Sequence, residues 1–310
     1  MTYQQLLSAL VESLRVGPAL SHEGLTVFPV SNGPASALSY LLMDEALGLG
    51  TFRIGELGAG SVPELLLVNA SDSRVFLLNG EELVGAKQNR ILNTSLLVEA
   101  HSEVKIPVSC VEQNRWQSRG AAMGKGGVSF PSMRSHNTRS VHRSLKESGV
   151  FRADQGEVWS DVASKLEAHG VRSKTHAMDE IYAQRRQSLR SYVDALPCPE
   201  DARGVVAAIG GRVACADVFD SPAIMAKLWR KLVESYALDA MELGDDGKRL
   251  SPRPEDIMTF LLVPAVAEVE PFDAPGIGKS LRMKAGDASG SALVFQDTIV
   301  HLEIFAPAML

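Results

Sequence analysis

Apolar positions near the start of the chain fall three and four apart, at Leu6, Leu7, Leu10, Val11 and Leu14. That spacing places them on one stripe of a helix over residues 1–16, ended by Gly17-Pro18. Leu25 to Val30 then reads as a strand. Ala35 to Ala46 reads as a helix, with Pro34 near its start and Leu38, Leu41 and Leu42 apolar. From residue 51 to 116 the period shortens. Leu65–Val68, Val75–Leu78, Ile91–Val98 and Glu103–Glu112 read as strands, with Asn79-Gly80 as a hairpin turn. No helix-length amphipathic segment interrupts them, so an antiparallel or barrel-like sheet is expected rather than a βαβ unit.

Residues 117–146 lose this regularity. No Asp or Glu occurs from Gln113 to Lys146, while Arg115, Arg119, Lys125, Arg134, Arg139, Arg143 and Lys146 do. With Gly120, Gly124, Gly126 and Gly127, the stretch reads as a long basic loop of the kind that covers a site, helical only near Thr138–Lys146. Helical spacing returns over 155–195, with a break near Gly170. Arg203 to Val218 splits at Gly210-Gly211 into a hairpin. Asp220 or Ser221 can cap a helix running to about Met241 that buries Leu228, Leu232, Tyr236 and Ala237. Met258–Pro264, Leu281–Lys284, Ser291–Gln296 and Thr298–Phe305 read as strands. The expected fold class is α+β, with antiparallel or barrel-like mixed sheets and flanking helices. The expected organisation over 1–310 is one large unit or two packed lobes, 1–146 and 147–310.

Composition changes this picture little. Hydrophobic residues make up 45% of the 310 and charged residues 22%, ordinary values for a globular protein. A net charge of -6 argues against a broad nucleic-acid surface, leaving a small anionic molecule as the expected partner. The absence of a long apolar run and of a basic, apolar leader points to a cytoplasmic protein without membrane spans. Cys110, Cys198 and Cys215 are too few and too scattered for a disulfide framework. The seven histidines form no zinc signature, so no metal site is expected, and no cofactor is indicated. His136 and His142 fall in the basic stretch, where they can approach a phosphate.

Two polar clusters interrupt the strand region. The first, Gly80 to Asn93, holds Glu81, Glu82, Lys87, Asn89 and Arg90. Strand alternation turns Glu81 and Glu82 to opposite faces, so they are not one carboxylate pair. The second, Ile106 to Trp116, would put Cys110, Glu112, Asn114 and Trp116 on one face and Ser109, Gln113 and Arg115 on the other. In a ligand-binding reading Arg90, Arg115 and Lys125 meet phosphates, with Lys87 beside them. Glu82, Asn89 and Glu112 orient a sugar or base, and Trp116 stacks. In a hydrolase reading Glu82 or Glu112 is a general base and Arg90 or Arg115 stabilises developing charge. In a third reading the basic loop engages a protein partner. The plainest alternative is a polar hairpin with surface ion pairs and a small core cysteine. Gly120 to Gly127 departs from a phosphate loop: three residues, not four, separate Gly120 from Gly124, and Gly126 stands where a hydroxyl is needed.

The runs FLLNGEELVGAKQNRILNTSLLV (76–98), IPVSCVEQNRW (106–116) and VFDSPAIMAKLWRKLVESYALDA (218–240) together resemble the ADP-ribosylglycohydrolase and rhodanese-phosphatase associated protein family, over roughly residues 20–306. That name reflects gene association and implies a setting of ADP-ribose or related nucleotide metabolism. It implies no catalytic residue.

Overall fold

A computed structural model describes all residues except 35, 59, 119, 121, 245–251 and 308–310. The chain is α+β. Its first helix, α1 (Tyr3–Ser13), starts on a reciprocal cap: Thr2 Oγ1 accepts from the Gln5 amide and the Gln5 side chain accepts from the Thr2 amide. It ends earlier than the periodicity suggests, because Leu14–Val16 leaves as strand β1.

The largest sheet has nine strands. Its path runs β1, β3 (Leu25–Asn32), β13 (Gly204–Ile209), β14 (Arg212–Phe219), β18 (Thr298–Phe305), β17 (Ala288–Phe295), β16 (Lys279–Ala285) and β15 (Glu268–Asp273), with β2 (Leu20–His22) added on β3. The β13–β14 turn is Gly210-Gly211, both residues at positive φ, as a tight hairpin requires. Side-chain alternation divides the apolar residues between two cores. Val206, Ala216 and Val218 face α1 and α7 (Pro254–Leu261), whereas Val205, Ala207 and Cys215 face the helices on the other side.

Those helices are α3 (Pro131–Ser148), α4 (Gln155–Ala168), α5 (Asp179–Ala195) and α6 (Pro222–Ala240). Beyond them β12 (Met123–Val128), β8 (Glu81–Gly85), β9 (Arg90–Leu92), β11 (Ser102–Cys110), β6 (Glu64–Asn69) and β5 (Phe52–Glu56) form a second, antiparallel sheet. A bridge between Gly55 and Ala122 draws its two edges together, so it curls into a half-barrel around Phe52, Leu67, Leu83, Leu92 and Met123. A small mixed sheet, β10 (Leu96–Val98), β7 (Val75–Leu77) and β4 (Leu41–Leu42), completes the strands.

Several expectations need correction. Asn79-Gly80 is a turn, with Gly80 at φ +76, but it carries the chain from the small sheet to the half-barrel and closes no hairpin. Residues 36–40 are not helical; α2 covers only Met43–Gly48, and Tyr40 is fixed by a hydrogen bond to Asp220. Ala35 lies outside the described residues. Asp220 also accepts from Ser36 Oγ at 2.6 Å, so it anchors that segment instead of capping a helix. Ser221 is the N-cap residue of α6 but makes no side-chain bond there. Met258–Pro264 lies in α7 and in α8 (Val263–Val266), not in a strand. The basic loop is strand β12 followed by the long helix α3. Among the described residues no helix is long and apolar enough to cross a membrane.

Candidate functional site

Strands β8 and β12 pair antiparallel, Leu83 opposite Lys125 and Glu81 opposite Val128, and the register slips between those two pairs. The slip is a bulge at Gly126-Gly127, beside Glu82. A Cβ on Gly126 would stand 2.8 Å from the Glu82 Cβ, and one on Gly127 would stand 3.1 Å from the Tyr182 ring. The glycine pair therefore makes room for two side chains rather than cradling a phosphate.

Glu81 and Glu82 point to opposite sides, as alternation requires. Glu81 pairs with Lys231 of α6 at 2.6 Å, and the same lysine reaches Asp44 at 2.8 Å. Glu82 has no exposed surface, yet it lines a cleft of about 330 Å³ between β8, β12, α5 and α6. Neither of its oxygens makes a hydrogen bond of normal geometry. Burial, then the charge of Asp179, push its carboxyl well above the ordinary range, against the opposing amides of Gly127 and Asp179; Glu112 adds to the rise. Its surroundings therefore favour the protonated form relative to an ordinary carboxylate. Asp179, Tyr182 and Arg186 reach the cleft from one face of α5, three and four residues apart. Lys125 enters from β12, and Arg230 and Glu234 enter from α6, themselves paired at 2.8 Å. The Tyr182 hydroxyl donates to the Val128 carbonyl, fixing the ring against the bulge.

The other nominated residues form a separate cluster. Strand β11 ends at Cys110, and the chain then turns, so Glu112 and Arg115 meet at 2.6 Å instead of facing apart. Arg115 also donates to the carbonyls of Ala86 and Gly85 and to Asn89 Oδ1, while the Asn89 amide donates to Glu112. Burial raises the Glu112 carboxyl, but hydrogen bonds from Arg115, Thr175 and the Asn89 amide bring it below its ordinary value. Arg90 is wholly buried and bonds Gln88 Oε1 and Cys110 Sγ, each at 3.1 Å. Trp116 is half exposed, with Lys87 Nζ 5.0 Å and the Arg90 guanidinium 5.9 Å from its ring. Of the eight nominated residues, only Glu82 and Lys125 line the cleft. Glu112, Lys87, Asn89, Arg90, Arg115 and Trp116 lie in or against the neighbouring cluster. Arg119 is outside the described residues.

Arg134, expected on the basic loop, is also buried. It bonds Asp217 through both terminal nitrogens, at 2.6 and 3.0 Å, and Glu303 at 2.9 Å. His301 and Tyr236 complete the shell of Asp217; Asn79, Thr138 and Ser291 complete that of Glu303. Asp217, His301 and Glu303 bring one ligand atom each within 4.8 Å of one another, a spacing that suits a metal ion. The Arg134 guanidinium, bonded to both carboxylates, supplies the positive charge there.

The family described as the ARG and Rhodanese-Phosphatase-superfamily-associated Protein domain matches residues 13–305. The chain belongs to this family. The ARG and Rhodanese-Phosphatase-superfamily-associated assignment agrees with the motifs quoted from the strand region and from α6. Its description states no ligand and no reaction, and it spans every residue of the cleft. No curated protein and no solved structure matches the chain. The cleft residues that sequence reading passed over are Asp179, Tyr182, Arg186, Arg230 and Glu234. Their signal was a polar stripe at helical spacing on α5 and α6, which looks the same as a solvated helix face.

Proposed function

We propose that this protein binds a small phosphorylated ligand of the nucleotide or ADP-ribose type in the cleft above Glu82. The observation that carries the reading is a fully buried carboxyl with no side-chain hydrogen bond among the described residues, approached only by the Gly127 and Asp179 amides, at the base of a cleft rimmed by Lys125, Arg186 and Arg230. Natural interiors leave few such groups unmatched, and perturbed carboxyls gather at functional sites. In its neutral form Glu82 donates a hydrogen bond to a ligand oxygen, while the rim cations meet phosphate. The ADP-ribose setting rests on the family resemblance and the phosphate on the cations. Calorimetric titration with ADP-ribose, ADP and NAD is expected to give binding that weakens about tenfold or more, roughly 1.4 kcal/mol, when Lys125 and Arg186 are both changed to Ala. Flat titrations of the folded wild-type protein across that panel would overturn the proposal.

A second reading, hydrolysis of the bound ligand, is favoured by the raised pKa of Glu82. A carboxyl whose surroundings favour its protonated form suits a general acid delivering that proton to a leaving oxygen as water attacks. This differs from the base role expected from sequence. Products seen by mass spectrometry with wild type and lost in Glu82→Gln, with binding retained, would support it; intact ligand after long incubation with wild type would refute it.

A further inference from the structure

The face of α3 opposite its buried arginine carries a second group of cations. Arg139, His142, Arg143 and Lys146 recur at helical spacing and border a cleft of about 730 Å³ between α3 and the β16–β17 hairpin. Lys284 and Ser289 close the far side. The charges there are poorly compensated. Among the described residues Arg139 and Lys284 have no carboxylate partner, and Arg143 reaches Glu157 only at 3.9 Å. Arg139 instead donates to the carbonyl of Ala306 at 3.1 Å, which ties it to the end of β18. Lys146 pairs with Glu270 at 2.7 Å, and Glu147 and Asp287 also lie on the border.

A further cation acts on His142 from outside the cleft lining. Arg282, two residues before Lys284 on β16, is wholly buried and donates to Thr94 Oγ1 at 2.8 Å. Its Nε and Nη1 have no partner, and its ring neighbour is Phe151, 5.3 Å from the guanidinium. Burial pulls its pKa down to about 10, and Glu303 only partly offsets this. A protein with a net charge of -6 thus holds an unbalanced positive region at one recess.

We propose that this recess is an anion site distinct from the Glu82 cleft, and that it takes a small ligand carrying two or more linked phosphates. Arg139 and Lys146 are seven residues apart, about 10 Å along a helix. A diphosphate and its substituent span that row more fully than a single phosphate does. The recess also has the size typical of small-molecule pockets. The acidic groups Glu147, Asp287 and Glu270 disfavour a long nucleic-acid backbone, which would have to pass them. His142 sits in the middle of the row. Burial holds its pKa below the ordinary imidazole value; Glu270 from β15 favours its protonated form, and Arg282 from β16 and Lys146 from its own helix oppose it. An anion beside His142 draws a proton onto it, so affinity rises as pH falls from 8 to 6.

The test is calorimetry on the full chain with inorganic pyrophosphate and inorganic phosphate at fixed low salt. Pyrophosphate is expected to bind at least tenfold more tightly than phosphate. The double variant Arg143→Ala/Lys284→Ala, at two exposed positions, is expected to weaken pyrophosphate at least tenfold. His142→Gln is expected to flatten the pH dependence. Lys125→Ala/Arg186→Ala is expected to leave pyrophosphate binding here unchanged, which separates this site from the Glu82 cleft. The inference is overturned if wild type gives no heat, if the Arg143/Lys284 variant binds pyrophosphate like wild type, or if an RNA oligonucleotide binds this face more tightly than pyrophosphate. Loss of pyrophosphate only in the Lys125/Arg186 variant would also overturn it, while leaving the Glu82 reading intact.

Discussion

Arg134 and Glu82 are both wholly excluded from solvent, and α6 serves both, with Tyr236 beside one and Arg230 and Glu234 beside the other. Their surroundings differ completely. Around Arg134 all four oxygens of Asp217 and Glu303 are engaged by side chains on β7–β8, α3, α6, β17 and β18. Around Glu82, among the described residues, no side chain engages either oxygen; only the Gly127 and Asp179 amides approach, and the other cleft charges do not bond it. A buried charge whose counter-charges are built in joins elements together. A buried acid approached only by two backbone amides, at the floor of a cleft, keeps hydrogen-bonding capacity for something that enters.

The largest effect expected from this contrast is at Arg134. Changing it to Met keeps much of the volume but strands two carboxylates, a loss of about 3–5 kcal/mol for a broken buried pair. Burial raises the Asp217 carboxyl, but Arg134 and His301 hold it well below its ordinary 3.8. Its contribution in the wild type is therefore present above about pH 4 and lost as pH falls through the folded-state pKa. In Arg134→Met the stranded carboxylates prefer their protons, so stability should rise as pH is lowered from 8 to 5. Urea melts at several pH values give both slopes. A cost under about 1 kcal/mol would mean that the network behaves like a surface pair and that the contrast with Glu82 is empty.

This network also shows where sequence reading stopped. The hairpin at Gly210-Gly211 and helix α6 were legible, because turn chemistry and apolar spacing agreed over many residues. Helix α3 was not legible beyond its last turns. Its buried face includes Arg134, Ser135, Asn137, Thr138 and Ser140, so the apolar period that marks a helix is missing. Met258–Pro264 failed for the opposite reason: a short apolar run looks alike in helix and strand. The Asn79-Gly80 turn was recognised, but its strands pair with different sheets, which local chemistry does not encode. Within the candidate site, Glu82 stood out as an acid on an apolar strand and its separation from Glu81 followed from alternation. The contact of Glu112 with Arg115 did not, because alternation ceases where β11 ends. Arg186 and Arg230 join the cleft only through helix packing.

A middle-sized effect is expected at Glu82 itself. The unfolded carboxyl ionises near 4.5, whereas burial, then Asp179, keep the folded one protonated well above that. The folded state therefore holds the extra proton, and wild-type stability falls as pH rises from 4.5 through the folded pKa. Glu82→Gln removes that loss. It should match wild type near pH 4 and exceed it at pH 8 by about 1–3 kcal/mol, the range for relieving an unsatisfied buried polar group. Thermal or urea melts at the two pH values decide this. Equal stability at both would show that the carboxylate is as well stabilised as those of the Arg134 network.

The smallest effect is expected at Trp116, whose half-exposed ring lies against two cations outside the cleft. Lys87 and Arg90 lie over its ring, and a half-exposed cation–π contact contributes about 0.5–1 kcal/mol. Trp116→Ala should lower stability by roughly that amount and leave nucleotide affinity at the Glu82 cleft within about twofold, since the indole lies outside the lining of that cleft. The sequence-based reading makes the opposite demand, because a base stacked on Trp116 would lose about 1–3 kcal/mol with the ring. Titrating ADP-ribose and ADP into the variant separates the two. A loss of tenfold or more would extend the binding surface from the Glu82 cleft across the Glu112–Arg115 cluster. Two neighbouring polar regions would then form one site, with the paired Glu112–Arg115 cluster as one wall of it.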